Sequence, residues 1–218
     1  MGSITRGLSN NITTGGVILP AGITNSSVSA VTSFANASGG TLILLSTQTA
    51  SNSATISFTT GLDSTYDEYI FKFIDIHPRT NDVEFQFNLS TDGGSNYNVT
   101  KTTTYIRALH NEADSGTGLG YETSFDLAQS TAFQLLATDI GSGSDENACG
   151  SLQLFNPSST TYVKHFISNT NNLTYHNYSF HNLMAGYGNT TSAINAVQFN
   201  MSSGNFDGTI KLYGVKKS

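Results

Sequence analysis

The stretch Val83–Ser90, VEFQFNLS, constrains the fold more than any other part of the chain. Val83, Phe85, Phe87 and Leu89 alternate with Glu84, Gln86, Asn88 and Ser90. Successive side chains of a strand point to opposite faces, so this spacing buries four apolar groups on one side and leaves the polar set in water. On a helix, turning about 100° per residue, the same four groups would scatter around the axis. The same signature recurs along the chain. Ala54, Ile56 and Phe58 alternate with Thr55, Ser57 and Thr59. In EYIFKFIDI, Tyr69, Phe71 and Phe73 fall on one face and Ile70, Lys72, Ile74 and Ile76 on the other, and Pro78 ends the run because proline cannot donate to a ladder. The continuous run Leu42–Leu45 predicts a strand buried on both faces.

Further strands are expected at Leu152–Phe155, Tyr162–Ser168, Tyr178–Leu183, Ala196–Met201 and Thr209–Val215, separated by clusters such as NPSSTT and SSGNFDG. Residues 110–149 are less regular. HNEADSGTGLGYETS and DIGSGSDENACG read as loops, and FDLAQSTAFQLLA fits either a short helix or an irregular strand. Composition agrees: charged residues make up only 11%, against about a quarter in ordinary domains, and Asn, Ser, Thr and Gly take their place. With 13 Phe and 10 Tyr this is not the composition of disorder. The expected fold is all-β, an antiparallel β-sandwich or jelly roll over residues 41–218.

Residues 1–40 differ. They carry one charged residue, Arg6, and no sustained period, and the run Val17-Ile18-Leu19 is stopped by Pro20. The expectation is an extended N-terminal arm that orders on a partner, with Ile4, Arg6, Leu8, Val17, Ile18 and Leu19 as docking residues.

SerThrAspGlyGlySer at 90–95 offers two readings, a turn or a calcium loop. A calcium loop needs several oxygen ligands closed by a carboxylate, and none follows Asp92 until Glu112. Gly93 and Gly94 instead suit a hairpin turn with positive φ. His77, His110, His165, His176 and His181 lack metal-ligand spacing. His165, alternating with Val163 and Ile167, reads as a half-buried histidine, and His110 with Glu112 and Asp114 is the weak candidate for a cation. Cys149 has no local activator and is expected to be a small buried hydrophobe. Adjacent carboxylates at Asp67-Glu68 and Asp145-Glu146 would point apart on a strand and form no acid/base couple. No catalytic residue, cofactor or metal is expected.

A net charge of −6 argues against nucleic acid, which requires a basic face, and no run of about 18 apolar residues suggests a membrane helix. The single cysteine and the lack of a signal-like start suggest folding in a reducing cytosol. Nine N-x-S/T triplets, Asn11 to Asn200, then read as chance in an Asn-rich chain. Tyr97, Tyr105, Tyr121, Tyr175, Tyr178 and Tyr187 lie near Asn-rich segments. Such tyrosines suit either packing and subunit contact, the favoured reading, or stacking on a glycan.

STQTASNSATISFTTGLDSTYDEYIFKFIDIHP, FNLSTDGGSNYN, FNPSSTTYVKHFIS and FNMSSGNFDGTIKLYGVKK together resemble a family of small virion proteins of tailed phages of marine and cyanobacterial type. The turn Ser64–Tyr69 and the terminal segment Ser202–Gly214 are its most specific pieces, and ITRGLSNNIT is similar to the starts of phage appendage proteins. The resemblance implies a β-sandwich displayed on the particle as a head decoration, head fibre or tail-fibre part. It implies other virion proteins as partners, a homo-oligomer (a trimer by analogy) and no catalytic residues. A carbohydrate-binding adhesin for host glycans is the alternative. A glycan depolymerase is the weakest reading, because the carboxylates are scattered.

Overall fold

The computed structural model describes residues 41–217, together with the backbone of Ile12–Thr13 and Gly16–Val17. The latter are strands β1 and β2, a minimal antiparallel ladder with Ile12 opposite Val17. Of the expected docking residues only Val17 falls here. Ile4, Arg6, Leu8, Ile18 and Leu19 lie outside the described residues.

From Leu42 onward every element is a strand. They are β3 (Leu42–Ser53), β4 (Thr55–Phe58), β5 (Glu68–Pro78), β6 (Val83–Ser90), β7 (Lys101–Asn111) and β8 (Thr117–Tyr121). There follow β9 (Gln134–Ile140), β10 (Ala148–Phe155), β11 (Lys164–Leu173), β12 (Tyr178–Gly188), β13 (Ala196–Met201) and β14 (Phe206–Val215). They form an eight-stranded sheet, β3-β14-β5-β10-β11-β12-β7-β8, and a four-stranded sheet, β4-β13-β6-β9, antiparallel throughout. The chain passes repeatedly from one sheet to the other, beginning at Ala54, the only residue between β3 and β4.

The sheets share one core, and its two halves are held by different forces. Under β14, β5 and β10 the contact is aromatic. The Phe199 ring of the small sheet lies 5.2 Å from Phe71 and 5.3 Å from Phe73, and Phe73 meets Phe85 edge-on at 5.1 Å. Phe71, Phe85, Phe87 and Phe199 are all buried, so each ring adds its full burial, about 1.5–3 kcal/mol, to the edge-to-face preference. The alternation in Val83–Leu89 puts its apolar row into this core as expected.

Under β7, β11 and β12 the apolar core continues through Tyr105, Phe166 and Met184, with Phe166 edge-on to Phe87 at 5.2 Å, but polar contacts join it. Thr103, Gln134, Thr170, Asn172 and Asn182 are buried there. Thr103 Oγ1 donates to Gln134 Oε1 at 2.6 Å, Thr170 Oγ1 to the Leu136 carbonyl at 2.5 Å and Asn172 Nδ2 to the Thr138 carbonyl at 2.9 Å. Each bond runs from the large sheet to β9, so hydrogen bonds satisfy groups whose burial would otherwise cost about 1–3 kcal/mol apiece.

Several sequence expectations change. The run Leu42–Leu45 is not buried on both faces: β3 is an edge strand, Leu42 and Leu44 are about half exposed, and only Leu45 packs on the core. Ile76, expected on the face opposite Phe71 and Phe73, is instead fully buried with them. Asp75 takes a φ of 52° and bulges, so two residues of β5 oppose one of β14 and one of β10, which returns Ile76 to the inner face. Gly93 and Gly94 have positive φ, as the turn requires, but no hairpin follows. β6 belongs to the small sheet and β7 to the large one, with Val99 N–H to the Leu89 carbonyl, 3.4 Å, the only backbone bond between Val83–Ser90 and residues 97–111. The segment 125–137 is irregular up to β9, and GTGLGY forms much of β8, paired to β7.

Candidate functional site

Two adjoining recesses on the large sheet share His165. The first, about 450 Å³, is lined by Thr102 and Thr104 of β7, His165 and Ile167 of β11, and Ala185 and Tyr187 of β12. Register places these side by side: His165 opposite Tyr187, Tyr187 opposite Thr102, Ile167 opposite Ala185 and Ala185 opposite Thr104. All sit on the outward face, because Lys164, Phe166 and Ser168 occupy the inward positions of β11. The His165 and Tyr187 rings are 6.0 Å apart. The second recess, about 540 Å³, is walled by Phe155, Asn156, Ser159, Thr161, Tyr162 and Thr191, with Tyr162 mostly exposed. Rings, hydroxyls and one imidazole can stack on and hydrogen-bond a flat polar ligand. No carboxylate lines either recess, so hydrolysis by paired acids has no basis there.

The six tyrosines near Asn-rich segments do not converge. Tyr187 lines the first recess. Tyr97 is withdrawn from the surface, with a buried hydroxyl held against Gly94. Tyr121 is exposed on β8 and donates to Asp126 at 2.5 Å. The Tyr175 ring lies 3.8 Å from that of His176, tilted by 36°. Tyr178 packs on Phe180 at 5.9 Å, beside Gly116. Tyr105, also expected near polar loops, is fully buried, and that burial pushes its hydroxyl pKa up. Tyr162, which completes the second recess, was read only as the start of a strand. A lone tyrosine in a Ser/Thr turn carries no pattern of its own.

The histidines are likewise separate. His165 is exposed rather than half-buried, because β11 turns its polar residues inward. His77 Nδ1 meets the Glu146 carbonyl, His110 pairs with Asp114 at 3.0 Å, and His181 meets Asn169. Among the described residues no three His, Cys, Asp or Glu side chains are grouped to hold a metal ion. Asp92 spends its carboxylate within its own turn. It accepts from the Ser90 hydroxyl, the Asn96 N–H and Asn96 Nδ2, and these bonds, the Asn96 side chain first, hold its pKa at about 2. Cys149 is exposed rather than buried, its Sγ accepting from the Asp75 N–H at 3.4 Å. Asp67 bonds to Lys217 at 2.9 Å and Glu68 to Gln153, consistent with structural roles for that pair.

One buried cation stands out. Lys101 is fully enclosed, and its Nζ donates to Asn88 Oδ1 at 2.5 Å and to the Val99 carbonyl at 2.8 Å, with no carboxylate in contact. Burial lowers its pKa to about 7. It faces the interior between the sheets and not the recesses, so it locks β7 to β6 and offers no surface chemistry. Comparison of the chain with family models, curated proteins and solved structures found no match.

Proposed function

We propose that the chain is a non-enzymatic structural component of a tailed-phage particle, displayed on its surface as a head decoration, head fibre or tail-fibre part and anchored through residues 1–40. The observation that carries this reading is how the two most specific stretches of the resemblance meet. The turn Ser64–Tyr69 and the terminal strand are far apart in sequence, yet Tyr69 pairs with Gly214 and the Tyr66 ring lies flat over it. A Cβ on Gly214 would stand 2.4 Å from that ring. Tyr69 donates its hydroxyl to the Asp63 carbonyl at 2.9 Å, and Lys217 reaches the Ser64 carbonyl at 3.2 Å. The stretches on which the resemblance rests therefore build a packing joint, which supports a scaffold role. The low content of charged residues fits a particle surface whose contacts salt does not screen. Deleting residues 1–40 tests the reading: incorporation into particles is lost while far-UV circular dichroism keeps its strand signature. Normal incorporation of the shortened chain refutes it.

The second reading, an adhesin for host glycans, is favoured by the recesses around His165. Glycan-array binding that is lost in both Tyr187→Ala and Tyr162→Ala supports it. A blank array with the intact chain argues against it.

A further inference from the structure

The two sheets treat solvent in opposite ways. The outer face of the small sheet is ordinary, with Thr55, Ser57, Glu84, Gln86, Gln198 and Asn200 pointing away from the core. On the large sheet the alternation is inverted in part, since Tyr105, Phe166, Phe180 and Met184 also point inward. Beneath β7, β11 and β12 lie the buried Lys101, Thr103, Thr170, Asn172 and Asn182, while Ile106, Ile167 and Leu183 point outward and are 40%, 47% and 41% exposed. Leu119 and Tyr121 of β8 extend the same face, 79% and 50% exposed. Among the described residues every exposed large apolar side chain lies on this face except Tyr162. Across β7, β8, β10, β11 and β12 no outward position is Asp, Glu, Lys or Arg. Lys72 and Lys211, paired on β5 and β14, mark the border of this charge-free zone. Amides turned inward and isoleucines outward would be unfavourable for a chain surrounded by water.

We propose that the outward face of the eight-stranded sheet is buried against another copy of this chain. Its size suffices. Eight strands spaced about 4.8 Å apart and some 25 Å long present roughly 900 Å², of which the five charge-free strands make up roughly 600 Å², so the contact extends past Lys72 and Lys211 to reach the roughly 800 Å² per partner of a stable association. Its chemistry favours a copy over a charged partner. A chain of net charge −6 repels a copy of itself least where fixed charges are sparse, as on β10, β11, β12, β7 and β8, and charge depletion marks the centres of subunit contacts. The inference deepens the virion reading by naming the surface through which copies assemble. It is tested on the purified chain, so it stands or falls separately from incorporation into particles.

Cys149, the only thiol, lies on this face, level with Asn171 and His181, and is exposed in the single chain. The experiment combines sedimentation with the rate at which Cys149 reacts with a soluble thiol reagent. The expected result is a mass that is a multiple of 23.2 kDa, with Cys149 at least about tenfold slower to react than in diluted, dissociated protein. The variant carrying Ile167→Lys and Leu183→Lys sediments as the single chain with Cys149 reactive, whereas Gln86→Lys on the small sheet changes nothing. The dilution series needs no variant, so a misfolded double variant does not rescue the idea. A single-chain mass with reactive Cys149 overturns the proposal. So does a single-chain mass with protected Cys149, which assigns the face to the chain's own leader, or an assembly indifferent to both lysines.

Discussion

Replacing Lys101 with Met probes the polar half of the sheet interface through its pH dependence. In the unfolded chain a lysine releases its proton near 10.5, whereas in the folded chain burial brings Lys101 to about 7. Between these values the unfolded state binds the extra proton, so stability rises with pH. Below about 7 both states are protonated and the full burial penalty is present. Each pH unit inside the window adds up to about 1.4 kcal/mol, so stability rises by roughly 2–3 kcal/mol between pH 7.5 and 9.5. With a urea dependence of about 2 kcal/mol per molar, the unfolding midpoint moves up by roughly 1 M. The buried phenols of Tyr69 and Tyr105 titrate above their ordinary range, so their opposing effect begins only above about pH 10. Urea titrations followed by far-UV circular dichroism at pH 7.5, 8.5 and 9.5 read the slope directly. Lys101→Met removes most of it and leaves only the smaller part from Lys164, which burial shifts in the same direction. The comparison rests on the slope and not on absolute stability, because Met also strips the Val99 carbonyl of its donor. A flat wild-type profile, or an undiminished slope in the variant, refutes the reasoning.

Gly214→Ala drives a methyl into the Tyr66 ring and lowers stability by about 1–3 kcal/mol, read from thermal melts; the Ser64–Tyr69 turn loosens with it, seen as faster hydrogen exchange there. Phe199→Ala empties the centre of a cluster that includes Phe58, Phe71, Phe73, Phe85 and Phe87, and costs about 3–5 kcal/mol by calorimetry. Asp92→Asn removes an acid whose folded pKa is about 2, below its unfolded value of 3.8. The wild type therefore loses stability from Asp92 as pH falls from about 4 through 2, and the variant shows a shallower acid loss over that range in the same melts.

In Val83–Ser90 the residue pattern alone placed the whole apolar row, Val83, Phe85, Phe87 and Leu89, while of the polar row Asn88 and Ser90 are buried against the expectation of water. The bounds of β13 were legible to the residue from the same kind of pattern. Alternation separates two faces but does not say which is inside. On β11 the polar row Lys164, Ser168 and Thr170 is the buried one, so His165 and Ile167 came out on the unexpected side. The bulge at Asp75 was hidden because a left-handed aspartate is a backbone event, with no mark in apolar spacing. β8 was unreadable for a simpler reason: all five of its residues are exposed, and it exists through pairing with β7. The recesses around His165 join residues from β7, β11, β12 and a turn, a juxtaposition that only the sheet order creates.

The divided interior also shapes the response to temperature. Exposing rings and aliphatic groups raises heat capacity, while exposing amides and hydroxyls lowers it, so melting this chain carries a smaller heat-capacity increment than a wholly greasy filling would. Its free-energy dome is correspondingly broad, which keeps stability nearly constant between cold and warm surroundings.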